Sequence, residues 1–210
     1  MIRVIIADDH AVVRKGMRLI AGDQPGIDLC GEAADYGELM HLLRKGECDV
    51  LLLDIGMPGK NGIDILKIVH ESYPRMRVLI LSMYPEDQYA LRALKAGAAG
   101  YLTKDSAPER LVEAIQTVAR GRRFITPSVA EMLATNLAQD TDVAPHELLS
   151  DREFQTMRLI ASGQQLSQIA ETLSLSPKTV SVYRARLLEK TGLRNNSEIT
   201  HYAIKRGLVE

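Results

Sequence analysis

The chain has 210 residues, of which 46% are hydrophobic and 25% charged, with a formal net charge of -1. This is the make-up of a soluble globular chain, long enough for one large domain or two modest ones. No apolar run approaches the ~20 residues that span a bilayer, and Met1-Ile2-Arg3 leads into Val4-Ile5-Ile6-Ala7 without the arrangement of a signal peptide. Cys30 and Cys48 have no metal-ligand spacing and read as reduced thiols packed in the core of a cytosolic protein.

Short apolar runs alternate with amphipathic segments over the first ~125 residues. The runs lie at 4–7, 29–33, 50–53, 78–81 and 100–102. Being dense in Val, Ile and Leu, they suit parallel strands buried on both faces. The segments between them read as helices. Asp35-Tyr36-Gly37-Glu38 and Ser106-Ala107-Pro108-Glu109 both have the form of a capping box. Five such βα repeats predict an α/β fold with a five-stranded, doubly wound parallel sheet in the flavodoxin-like strand order.

Thr126-Pro127 reads as an N-cap followed by proline at the first helical position, opening a helix over about 127–138. An exposed linker follows over 139–149. Ser150-Asp151-Arg152-Glu153 is a further capping box, and the pattern beyond it is entirely helical. The predicted division is a first domain over 1–121, a linker region over 122–149 that includes the helix, and a second, all-α domain over 150–210. From Leu149 onward nine Lys/Arg face six Asp/Glu, while 127–148 holds four acids and no Lys/Arg. A basic end behind an acidic linker is compatible with a nucleic-acid partner.

Four predicted strands end on residues able to do chemistry: Asp8-Asp9, Asp54, Ser82 and Thr103-Lys104. In open α/β sheets ligands bind outside the carboxyl ends of the strands, so these groups converge on one pocket. Three crowded carboxylates repel each other and call for a divalent cation. A donor set made only of oxygen favours Mg2+. With Lys104 opposite, the set suits in-line phosphoryl transfer with Asp54 as nucleophile and Ser82 as a hydrogen-bond donor to a phosphoryl oxygen. Taken singly, each residue has a plainer reading: Asp54 as a turn aspartate, Asp8-Asp9 as helix caps, Ser82 as a turn residue, Lys104 as a solvated charge, His10 as structural.

Asp8-Asp9-His10, Asp54 followed by Met57-Pro58-Gly59 and Asn61-Gly62, Ser82, Ala96-Gly97-Ala98-Ala99-Gly100-Tyr101 and Lys104 together resemble the receiver domain of bacterial response regulators, over roughly residues 1–121. The resemblance implies that Asp54 accepts a phosphoryl group from a sensor histidine kinase. It also implies that Asp9 and Asp54 ligate Mg2+ directly, Asp8 mainly through water, and Gly56 through its backbone carbonyl. Ser82 and Tyr101 would form the switch pair. One departure is Asp105, where many receivers have proline after the lysine.

Four short helices are expected in the tail: 150–161 closed by Gly163, about 166–173, a third from Ser176-Pro177 to about Thr191 and Gly192, and about 197–205 closed by Gly207. A short helix, a tight turn and a longer basic helix place a recognition helix in a major groove. In the third helix Val180, Tyr183, Leu187 and Thr191 should pack inward. Lys178, Thr179, Arg184, Arg186 and Lys190 are candidate phosphate contacts, and Ser181, Val182 and Ala185 candidate base contacts on double-stranded DNA. A plain surface helix with scattered charge is the alternative.

Leu149-Ser150-Asp151-Arg152-Glu153, Gly163, Ile169-Ala170, Leu173, Leu175-Ser176-Pro177-Lys178-Thr179-Val180 and Lys190 resemble the LuxR-type helix-turn-helix. Receiver plus this domain makes the chain similar to the NarL/FixJ family over essentially its full length. Tyr183-Arg184 and the Val180-Ser181-Val182 run resemble the subgroup of global regulators containing GacA and UvrY. Lys190-Thr191-Gly192 stands where Lys-Leu-Gly is more usual, which predicts weaker packing at that helix end. The resemblance implies a cytoplasmic transcriptional regulator that dimerises when phosphorylated, with Ile199, Tyr202 and Ala203 near a twofold axis, no membrane association, and RNA polymerase as a candidate partner. Two rival expectations are a Mg2+-dependent phosphatase and a ligand-driven LuxR-type regulator with a vestigial receiver.

Overall fold

A computed structural model describes the chain except residues 23, 47, 59, 107, 139–143 and 210. Gly59 of the turn motif, Ala107 of the second capping box and 139–143 of the linker therefore lie outside the described residues. The chain forms two compact units, Met1–Ala138 and Gln139–Glu210.

The first unit holds β1 (Ile2–Ala7), α1 (Ala11–Gly22), β2 (Ile27–Ala33), α2 (Tyr36–Lys45), β3 (Val50–Asp54), α3 (Gly62–Ser72), β4 (Arg77–Ser82), α4 (Glu86–Lys95), β5 (Gly100–Thr103), α5 (Pro108–Ala119) and α6 (Pro127–Ala138). The sheet runs β2-β1-β3-β4-β5, with every pairing parallel. This is the expected order. All five residues of central β3 are buried, as a strand covered on both faces requires. Val4, Ile6, Val50, Leu52, Leu79, Leu81 and Leu102 pack in one cluster with Met17 of α1 and Leu111, Ala114, Ile115 and Val118 of α5. Their alternates Ile5, Leu51, Leu53 and Ile80 are equally buried on the opposite face.

β2 starts two residues earlier than its apolar run. Val4 pairs with Leu29 but Ile5 with Gly31, so Cys30 is the extra residue of a bulge. The Cys30 thiol is only half-buried and donates to the Val4 carbonyl at 3.3 Å. Cys48 is buried, and burial pushes its thiol up to about 12. Both cysteines are free.

Asp35 caps α2 by accepting from the Glu38 N–H at 2.9 Å, while the Glu38 carboxylate reaches back to the Ala34 N–H at 2.7 Å. Thr126 caps α6 by accepting from the Val129 N–H at 3.3 Å. Just upstream, the Phe124 N–H donates to the Ala99 carbonyl at 2.8 Å, and Phe124 forms a parallel bridge with Gly100. A side chain at Gly100 would lie 2.8 Å from the Phe124 carbonyl oxygen, so the bridge needs glycine there.

The second unit holds α7 (Asp151–Ala161), α8 (Leu166–Thr172), α9 (Pro177–Thr191) and α10 (Asn196–Lys205). Ser150 and Glu153 form the expected reciprocal capping box. Ser176 caps α9 and Pro177 opens it; Gly192, at φ 74°, closes it in the left-handed conformation. Within 139–149, read from sequence as exposed linker, Pro145–Leu148 forms one 3₁₀ turn and Leu149 is buried. The reason is a distant partner: His146 Nδ1 lies 2.9 Å from the Tyr202 hydroxyl, and its ring 6.2 Å from that of Phe154.

Ile199 and Ala203 are fully buried in the second unit. The resemblance set them near a twofold axis; their side chains are taken up by the unit's own core, where α10 packs on α7, and Ile204, 55% exposed, is an apolar residue of α10 offered outward. Thr191, where the resemblance predicts weaker packing, is half-buried with its hydroxyl hydrogen-bonded. Its hydroxyl donates to the Leu187 carbonyl at 2.7 Å and accepts from the Leu193 N–H at 3.4 Å.

Candidate functional site

The strand order puts β1 beside β3, and β5 two strands from β3. Two spacings are about 10 Å, a gap that the long lysine side chain is suited to close. Lys104 Nζ lies 2.6 Å from Asp8 Oδ2 and 3.1 Å from Asp54 Oδ2, with all three side chains buried. Asp9 is more open. Its Oδ1 meets His10 Nδ1 at 2.6 Å. Asp8, Asp9, His10 and Asp54 each offer a ligand atom, and these atoms lie within 4.8 Å of one another.

Asp8 is held from three sides: its Oδ1 accepts from the His10 N–H at 2.9 Å, its backbone carbonyl from Arg14 Nη1 at 2.6 Å, and Lys104 pairs with Oδ2. Burial pushes the Asp54 carboxyl above the usual aspartate value; Lys104 pulls against this, Asp8 adds to it, and the Gly56 N–H favours the ionised form. Three carboxylates against one ammonium leave an excess of negative charge. Asp8 Oδ2 is buried and ion-paired but in no hydrogen bond. An oxygen-rich, under-neutralised set of this kind fits a hard divalent cation such as Mg2+.

The loop after β3 is shaped around Asp54. Asn61 caps α3 by accepting from the Ile63 N–H at 2.7 Å, and the Gly62 N–H donates to the Ile55 carbonyl at 3.0 Å. A Cβ at Gly62 would lie 2.2 Å from the Asp54 carbonyl oxygen and 2.6 Å from Ile55 Cα. Only glycine permits that approach. A Cβ at Gly56 would stand 3.0 Å from Asp54 Oδ2.

Ser82 ends β4 fully buried. Its Oγ accepts from the Tyr84 N–H at 3.1 Å, and its carbonyl from the Lys104 N–H at 2.8 Å. Tyr101 lies inward, 2% exposed, and its hydroxyl donates to the Tyr84 carbonyl at 2.7 Å. The Tyr84 ring stacks on Tyr89 with centroids 4.9 Å apart. Asp8, Asp9, Asp54, Ser82 and Lys104 thus converge, and Tyr101 meets Ser82 through Tyr84. Sequence reasoning missed Arg14 and Tyr84. Arg14 acts through the turn between β1 and α1, and Tyr84 mainly through its backbone, so neither carries a residue-type signal.

In α9, Val180 and Leu187 are buried and Tyr183 and Thr191 half-buried. Lys178, Ser181, Val182, Ala185 and Arg186 are exposed together on the other side. Thr179 Oγ1 lies 2.8 Å from the Ser176 hydroxyl. Arg184 Nε donates to Asn196 Oδ1 at 2.7 Å, which holds its guanidinium against the start of α10. Lys190 is drawn away from the outer face: Nζ donates to Glu153 Oε2 at 2.7 Å. Burial by itself raises the Glu153 carboxyl, but the hydrogen bonds from Lys190 and Ser150 outweigh it and hold the group below the usual glutamate value.

A doubly wound sheet with an acid–lysine pocket, joined to a helix-turn-helix unit, defines a two-component regulator. Residues 4–116 match the response regulator receiver domain and residues 147–203 the luxR family of bacterial regulatory proteins. The chain is 37% identical to the response regulator UvrY of Escherichia coli over 99% of this chain and 96% of that one. It is 36% identical to the response regulator GacA of Pseudomonas protegens, over 100% and 99%. A solved structure of RcsB from Salmonella enterica serovar Typhimurium, bound to promoter rprA in the presence of the phosphomimetic BeF3-, superposes with a TM-score of 0.66 at 27% identity, over 96% of this chain and 97% of that one. The chain belongs to the response regulators of the NarL/FixJ family, in the subgroup that contains UvrY and GacA.

Proposed function

We propose that Asp54 takes the phosphoryl group and that its modification controls DNA binding through α9. The observation that carries this reading is the buried Lys104 ammonium set between the Asp8 and Asp54 carboxylates at the strand ends. In the transfer, an Asp54 carboxylate oxygen forms a bond to phosphorus. The bond from phosphorus to the imidazole nitrogen of the kinase phosphohistidine breaks, and the electron pair stays on that nitrogen. Asp8, Asp9, Asp54 and the Gly56 carbonyl would hold Mg2+, which supplies positive charge to the phosphoryl oxygens. Lys104 neutralises oxygen charge from the β5 side, and the Ser82 hydroxyl turns from the Tyr84 N–H toward a phosphoryl oxygen. The chemistry ends at a phosphorylated protein, with hydrolysis of the aspartyl phosphate assisted by the same pocket.

On DNA, the short side chains of Ser181, Val182 and Ala185 let α9 approach base edges in the major groove, flanked by Lys178, Thr179 and Arg186 at phosphates. Arg184 is braced by Asn196 for the same strand. Lys190 serves the fold through Glu153. Two phosphorylated copies bind paired half-sites, and the regulator works in the cytoplasm, opposite a sensor kinase and beside RNA polymerase. Among the described residues no helix is long and apolar enough to cross a membrane.

The test is labelling by acetyl phosphate in Mg2+. The unsubstituted chain takes one phosphoryl group and binds DNA more tightly with beryllofluoride; Asp54→Ala takes none and does not respond. Label that persists on Asp54→Ala, or multiple turnover on small phosphate esters, would defeat the proposal.

A further inference from the structure

We infer that the hydrogen bond between Thr126 and Glu86 is the link through which the pocket acts on α6, and through α6 on the chain that enters the DNA-binding unit. The inference rests on the phosphoacceptor reading of Asp54. Glu86 is the first residue of α4, and the segment before it carries Ser82 and Tyr84, the residues that face the pocket and Tyr101. The Thr126 hydroxyl donates to Glu86 Oε2 at 2.6 Å while it accepts from the Val129 N–H, so one buried hydroxyl joins the start of α4 to the start of α6.

The geometry favours transmission over simple anchorage. α4 has no side-chain cap of its own, so the Glu86 carboxylate is available to α6, and its charge suits the positive end of α4. α6 packs along α4, with Val129 buried. Its entry is pinned at Phe124 to the start of β5. A helix of 12 residues is about 18 Å long, so a small change of direction at Thr126 becomes a larger displacement at Ala138, where the first unit ends. When Ser82 leaves the Tyr84 N–H for a phosphoryl oxygen, the segment before Glu86 shifts, and the hydrogen bond carries the shift to the α6 cap.

The experiment uses the full chain, acetyl phosphate in Mg2+ for labelling, and a DNA fragment selected from a random pool by the unsubstituted protein. The readout is the ratio of DNA affinities with and without beryllofluoride. Glu86→Ala removes the acceptor and leaves the Thr126 cap of α6 intact. It should label normally while the ratio falls by about fivefold or more. Thr126→Val should fall alike, the double substitution should fall no further, and Thr126→Ser should keep the ratio. An unchanged ratio in Glu86→Ala overturns the link. Loss of labelling in both Glu86→Ala and Glu86→Gln would place Glu86 in the phosphorylation chemistry and also overturn it. An unsubstituted chain that takes no label overturns the phosphoacceptor reading, and this shows before any substitution is made.

Discussion

Replacing Lys190 by methionine removes one ammonium and keeps most of the alkyl chain. In the protein that ammonium donates to the Glu153 carboxylate, whose side chain is 3% exposed and which also closes the capping box of α7. A hydrogen bond between charged groups contributes about 1.5–3 kcal/mol. Lys190 is 40% exposed, so solvent screening places the loss near the lower end, about 1.5 kcal/mol. For a unit of this size the corresponding fall in Tm is about 6–12 °C. Calorimetry of the full chain reads it in the transition of the C-terminal unit. The Glu153 carboxyl is depressed below its ordinary 4.5, so the stabilisation is fully present above 4.5 and is lost as pH falls through the lower folded value. The difference between the two proteins should shrink over the same window. Because Lys190 is committed to Glu153, the salt dependence of DNA affinity should not change. An unaltered Tm, together with a salt slope reduced by about one unit, would instead make Lys190 a phosphate contact and refute the reasoning.

Other outcomes follow from the geometry. Gly62→Ala drives a methyl group into the Asp54 carbonyl and should destabilise the receiver by about 3 kcal/mol or more, seen as a lower urea midpoint. Asp54→Asn should raise the Tm of the receiver in EDTA at neutral pH, because a buried carboxyl with a raised pKa costs stability when ionised. That gain should fade as pH falls toward 3.8. Lys178→Ala should weaken binding evenly across DNA sequences and lower the salt slope by about one unit, whereas an effect confined to one base position would make Lys178 a specificity residue. Ile204→Lys should reduce cooperative occupancy of paired half-sites in a band-shift titration and leave the unfolding midpoint unchanged, since Ile204 is exposed.

The pocket was legible because buried parallel strands write themselves as pure apolar runs, so the polar residue that ends each run stands out. Asp54, Ser82 and Lys104 are found this way. β2 was the weakest strand to read, because it lies at the sheet edge, exposes Asp28 and spends Cys30 on a bulge. Periodicity placed Val180 and Leu187 inward correctly, since a helix in contact with its unit over one face shows a single stripe. The resemblance, not periodicity, set Ile199 and Ala203 near a twofold axis, and it could not show that the unit's own core takes up both side chains. Sequence reading failed for 145–149 and gave no sign of the Lys190–Glu153 ion pair, because the partners, Tyr202 and Glu153, are 56 and 37 residues away.

The edges of the sheet bear on how two copies can meet. A bare edge strand is a template for another chain's backbone. Here the β2 edge is kinked by the Cys30 bulge, and the start of β5 is already occupied by Phe124. Both borders are thus poorly suited to sheet extension, which favours contacts between side chains for any pairing of two copies. Such contacts can be tuned by a fraction of a kilocalorie and released, whereas a shared ladder of backbone hydrogen bonds would be far harder to undo.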